Sequence, residues 1–273
     1  WRKIVYSNHP YAHNTNGNKN DVSKITYHDV LNEFKKFKKR EKYIISNNLD
    51  INGENIEKIS QNNLNEKSQI LTEDLDSINR FDCFNNNSNQ IILMIGNQTC
   101  SRRSSEYLHL KVLESYLSYG MSAALFKIFR ENNGITYDLG VFNPIRSENA
   151  PFLIYLSVSN KNALFAFELL SSLWKNLLLN PINDDEIFLA KEKLKSSFLI
   201  GNQLLDEILQ RKIQLISYGI NPFSETHLNS KINDLSSSDI HKSTKKYFSK
   251  PFFSISGDNG ICLEVKKRWI KNF

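Results

Sequence analysis

The chain has 273 residues, of which 40% are hydrophobic, enough to bury the core of one large domain or two smaller ones. Its net charge of +6 comes from lysines spread along helices and tails, which reads as a solvated basic surface rather than a nucleic-acid or anionic-membrane patch. Three cysteines without C-x-x-C spacing imply neither a disulfide framework nor a cysteine metal site and favour a reducing compartment, and no apolar run reaches the length of a membrane span.

In chain order, residues 1–24 are polar and turn-rich, with His9-Pro10-Tyr11 near their middle. Thr26-x-x-Asp29 opens a helix that carries Val30, Phe34 and Phe37 on one face. A short apolar strand at Tyr43–Ile45 and a short helix at Ile51–Ile59 follow. Residues 60–90, rich in Asn, Ser and Gln, read as a polar linker. Order resumes with the strand Ile91–Ile95 and a helix started by Ser104 or Ser105, with Tyr107, Leu110, Leu113 and Leu117 inward.

The stretch Gly120–Phe142 reads as helix, stop and strand. Ser122 is the expected N-cap, Leu125, Ile128 and Phe129 recur at helical spacing, and Asn133-Gly134 supplies a left-handed stop. From Ile135 the period becomes two, with Tyr137, Leu139 and Val141 on the same parity. Arg130 therefore falls in the last helical turn and Tyr137 just beyond the stop, so both side chains can reach one point.

A polar loop then leads to a second strand, Phe152–Val158, which suggests a hairpin. Asn160 or Asn162 caps a helix with Leu164, Phe167, Leu170, Trp174 and Leu177 inward, broken at Pro181. Asn183-x-x-Glu186 opens a long helix that is expected to bend near Gly201 and run on to Ile216. Ser236-x-x-Asp239 opens another helix, Phe252–Ser256 is a strand, and residues 259–273 read as an extension, an add-on helix or tail.

Internal self-similarity organises these elements. Ile25–Asn48 and Leu235–Asp258 align without a gap, with Asp29/Asp239, Lys35/Lys245, Lys36/Lys246, Ile45/Ile255 and Ser46/Ser256 identical. Upstream, His9-Pro10-Tyr11 answers Asn221-Pro222-Phe223. The second unit is then nearly whole and only the tail of a first one is present, so the chain is expected to be a piece or a truncated relative of a longer protein.

At this point the residues resemble the insulinase–pitrilysin family of zinc metallopeptidases, which includes mitochondrial processing peptidase. His9-Pro10-Tyr11, Gly17, Ile25-Thr26 and Asp29 look like the close of a first half. Tyr116–Ser122, Leu125-Phe126, Arg130-Glu131, Gly134–Tyr137, Asp185-Glu186, Ala190-Lys191, Tyr218-Gly219 and Ser256–Asp258 look like the second half. The resemblance implies an α+β fold, an antiparallel sheet with helices packed on one face. It divides the chain into a first-half remnant (1–59), the linker (60–90), a second, non-metal half (91–258) and the extension (259–273). In such enzymes the first half holds zinc through His-x-x-Glu-His, a motif absent from this sequence, so this chain is expected to bind no metal itself.

The resemblance assigns no catalytic residue here and casts Arg130 and Tyr137 as substrate-binding residues. A guanidinium can donate to a peptide carbonyl or a terminal carboxylate, and a phenol to the oxygen on which negative charge develops during attack. The implied partners are a peptide substrate and a zinc-binding half or partner subunit, with neither nucleic acid nor membrane; the alternative is a non-catalytic scaffold or assembly subunit of the same fold. Other readings of the pair stay open: Arg130 also complements a helix dipole, and Tyr137 shares its parity with buried strand positions. Ser157, Ser159 and Ser236–Ser238 lack a His–Asp arrangement, and Asp184, Asp185 and Glu186 suit a helix start. His9 and His13 are four apart, but Pro10 and polar turn residues argue against a helix there. The Lys35–Lys42 run has aromatic spacing that fits packing better than nucleic acid.

Overall fold

A computed structural model describes residues 1–7, 9–40, 79–86, 88–225 and 227–273. The expected strand at Tyr43–Ile45, the helix at Ile51–Ile59 and most of the 60–90 stretch lie outside the described residues.

Among the described residues, three α-helices precede the sheet: α1 (Arg2–Tyr6), α2 (Lys19–Val22) and α3 (Tyr27–Lys39). Five strands follow, β1 (Phe81–Asn85), β2 (Gln90–Gln98), β3 (Asp138–Phe142), β4 (Pro151–Ser159) and β5 (Phe252–Gly257), in the order β1-β5-β2-β4-β3. Between and after them run α4 (Tyr107–Ser118), α5 (Ala163–Leu179), α6 (Asp184–Gly201), α7 (Leu205–Ser217), α8 (Leu228–Asn233), α9 (Ser237–Phe248) and α10 (Asn259–Asn272). No helix among the described residues is long and apolar enough to cross a membrane.

The sheet is antiparallel from β5 through β3, as expected, while β1 joins β5 in parallel. That strand lies inside the stretch read as linker. Its sequence, Phe-Asp-Cys-Phe-Asn, has no apolar run to announce it, and only Phe81 is buried, stacked on Phe253 at 5.7 Å. Alternation sends Ile91, Leu93 and Ile95 of β2 and Ile154, Leu156 and Val158 of β4 to the helical side, where all are essentially fully buried. Their partners on the other side, Ile92, Met94, Tyr155, Ser157, Ser254 and Ser256, stay at least partly exposed.

Helices α4, α5, α9 and α10 cover the buried face. Trp174 of α5 stacks on Phe248 of α9 at 4.2 Å and donates its indole N–H to the Phe248 carbonyl at 3.0 Å. The stretch read as an extension is α10, capped by Asp258, whose carboxylate accepts from the N–H groups of Gly260 (2.8 Å) and Ile261 (3.1 Å). Cys262, Val265 and Trp269 recur at helical spacing and are buried against the sheet, so this helix belongs to the same core. The single bent helix expected through Gly201 is two helices, parted at Asn202–Leu204.

The two aligned segments can be compared over their helices, α3 and α9. Thr26–Asp29 and Ser236–Asp239 form the same reciprocal capping box at aligned positions. In α9 the inward residues Ile240, Thr244 and Tyr247 are buried, whereas their counterparts Val30, Phe34 and Phe37 in α3 are each more than half exposed.

Candidate functional site

The Arg130–Tyr137 site is built between α4 and β3. After α4 the chain reverses at Gly120, whose φ of +76° suits a residue without a side chain. The helical hydrogen bonds begin at the Ala123 carbonyl, which accepts from Lys127 at 3.0 Å, so Ser122 does not cap the helix as expected. The segment Phe126–Glu131 is wound as a π-helical turn, closed by the Asn132 N–H donating to the Lys127 carbonyl at 2.9 Å. Leu125 and Phe129, both fully buried, fix this turn to the core. Gly134, at φ +58°, then reverses the chain, and the Ile135 N–H closes back on Phe129 at 3.0 Å.

Thr136 decides what Tyr137 does. Its side chain is buried and its hydroxyl donates to the Ser157 carbonyl of β4 at 2.5 Å, while accepting from the Asp138 N–H at 3.2 Å. With Thr136 pinned, β3 starts at Asp138, three residues later than expected, and Tyr137 swings out to 82% exposure. The buried-strand reading of Tyr137 is therefore excluded.

The two residues meet. The Arg130 guanidinium carbon lies 5.0 Å from the centre of the Tyr137 ring and 5.1 Å from that of Phe126. From sequence Phe126 was named only within the family resemblance and not as a site residue, although its position four residues before Arg130 on one helical face was a signal for it. Arg130 makes no ion pair among the described residues, so the rings orient it while its N–H groups remain available to an oxygen acceptor. The arrangement offers a cation and a phenol at one exposed point, suited to hold a carbonyl or carboxylate.

Other candidates are absorbed by structure. Asp184, Asp185 and Glu186 lie in the first turn of α6. His9 accepts from the Tyr11 N–H and bonds Glu148 at 2.5 Å, at the start of a short 3₁₀ turn rather than on an α-helix with His13. A Ser–His contact that sequence reading missed, His109 Nδ1 to Ser243 Oγ at 2.6 Å, ties α4 to α9. Ser243 is buried and unavailable to substrate, and burial lowers the His109 pKa. Among the described residues no group of three or more His, Cys, Asp or Glu is placed to hold a metal ion.

Residues 24–194, more than half of the chain, match the family model described as the peptidase M16 inactive domain. A protein of Rickettsia felis described as an uncharacterized zinc protease is 29% identical over 140 residues, 50% of this chain and 33% of that protein. Among solved structures, a peptidase M16 inactive domain from Pseudomonas fluorescens superposes with a TM-score of 0.72 at 16% identity, covering 94% of this chain and 63% of that one. A protease from Helicobacter pylori gives 0.58 at 15% identity, covering 64% and 43%. A chain of complex III2 from Candida albicans gives 0.57 at 16% identity, covering 70% and 48%. The chain thus spans about a third of its curated relative.

Proposed function

We propose that this chain, which belongs to the peptidase M16 inactive-domain family, is the substrate-side half of an insulinase-like zinc metallopeptidase and positions peptide in the cleft between two halves. The observation that carries the reading is the convergence of Arg130 and Tyr137, seven residues apart across a helix stop, on one exposed point. Arg130 donates to a substrate carbonyl or carboxylate, Tyr137 donates a second hydrogen bond, and Phe126 keeps the guanidinium in place. In this reading the metal and the general base come from another half, since the sequence carries no His-x-x-Glu-His. Alone, the chain binds peptide and cleaves none.

Peptide affinity and peptide cleavage measured on the purified chain test this together. Arg130→Ala should weaken binding of an unstructured peptide about tenfold, the loss of one charge-assisted hydrogen bond, and Tyr137→Phe about threefold to fivefold. Unchanged affinity in both variants, or zinc-dependent hydrolysis by the isolated chain, contradicts the reading. A non-catalytic scaffold of the same fold is the second reading. It is favoured by the structural likeness to a chain of an assembled complex, and it predicts no peptide affinity at all.

A further inference from the structure

Phe142, at the far end of β3 from Tyr137, lines a cavity of about 140 Å³ that Arg2, Tyr6, Tyr11, His13 and Arg146 also line. The N-terminal segment forms one wall: Tyr6 is buried beneath it and donates its phenol to the Asn149 carbonyl at 3.0 Å. The Arg146 guanidinium lies 5.5 Å from the Tyr11 ring centre. Burial drives the Tyr6 phenol pKa up and Tyr11 adds to this, while Arg146 and Arg2, which line the same cavity, both pull the other way.

No Asp or Glu lines this cavity, and neither Arg2 nor Arg146 makes an ion pair among the described residues. Glu148, two residues beyond Arg146, is engaged by His9. Two half-buried guanidinium groups thus line one cavity with no ion-pair partner among the described residues. Such an arrangement costs free energy that an anion recovers, and a planar carboxylate suits the guanidinium fork.

We propose that the Arg2–Arg146 cavity is a subsite for a carboxylate of a bound peptide, either its C-terminus or an Asp or Glu side chain. The proposal rests on the peptide-positioning reading above. From Tyr137 to Phe142 is five residues, about 17 Å of extended chain at roughly 3.3 Å per residue. A peptide held at Arg130 and lying along β3 therefore presents its acidic group to the cavity about five residues away. The outer edge of β3 has no partner strand among the described residues, which leaves room for such a path.

The test is fluorescence anisotropy on the full chain with two rhodamine-labelled decapeptides. One ends in Asp-Glu-Glu with a free carboxylate, and the other ends in Asn-Gln-Gln-amide. The acidic peptide should bind about tenfold more tightly. Arg2→Gln and Arg146→Gln should each reduce that ratio at least threefold, while Lys267→Gln, the same charge change on an exposed face of α10, keeps it. The ratio is insensitive to the fraction of variant that folds. Equal affinity of the two peptides for the unaltered chain, or an equal fall in all three variants, overturns the subsite and leaves the Arg130–Tyr137 reading standing. Binding of neither peptide overturns both.

Discussion

At the residue scale, a buried threonine and a left-handed glycine decide where a tyrosine points. The Asn133-Gly134 stop was legible because few residues other than glycine tolerate φ +58°. A methyl group at Gly134 would meet nothing within 4 Å, so Gly134→Ala tests the backbone term alone. It should cost about 1 kcal/mol in urea denaturation and loosen the Arg130–Tyr137 pair, which reduced peptide affinity would report. The outward turn of Tyr137 was not legible. Strand parity grouped it with Leu139 and Val141, and what frees it is the Thr136 bond to Ser157, a contact between residues 21 apart in sequence. Alternation is a local rule, and a single long-range hydrogen bond can delay where it begins.

At the scale of elements, the capping boxes were the most readable feature, since each is spelled within four residues. Ser236→Ala should destabilise the chain by about 1 kcal/mol, measured by chemical denaturation, because it leaves the Asp239 N–H without its acceptor. The Ser236 hydrogen bonds hold the Asp239 carboxyl below the usual carboxylate range. A depressed folded-state pKa contributes stability that is present above the unfolded value, near 3.9, and is lost as pH falls through the folded one. Asp239→Asn should therefore lower stability at neutral pH and flatten the acid limb below about pH 4 relative to the unaltered chain. Strand β1 and the break between α6 and α7 were not readable. The first is a five-residue segment without an apolar run, made a strand by pairing with β5, more than 170 residues later; the second interrupts a helical pattern without a proline.

At the scale of the whole molecule, β5 lies between β1 and β2, so the last strand in sequence fills an interior place in the sheet. Periodicity located the strands; it carries no information on which strands become neighbours. The same blindness made α10 look like an extension, although Trp269 is fully buried and packs 5.2 Å from Phe253 and 4.4 Å from Phe273. Trp269→Ala should cost about 3–5 kcal/mol in thermal or chemical unfolding, as for an aromatic removed from a core, and a surface-tail value near zero would refute its placement. The central claim is that Arg130 and Tyr137 act as one unit on a peptide that this chain holds but does not cut. A double-mutant cycle on peptide affinity, using Arg130→Ala, Tyr137→Phe and the double variant, tests it most directly. The account predicts that each single change weakens binding and that the double variant loses clearly less than the two losses combined; strictly independent losses, or none, would contradict it.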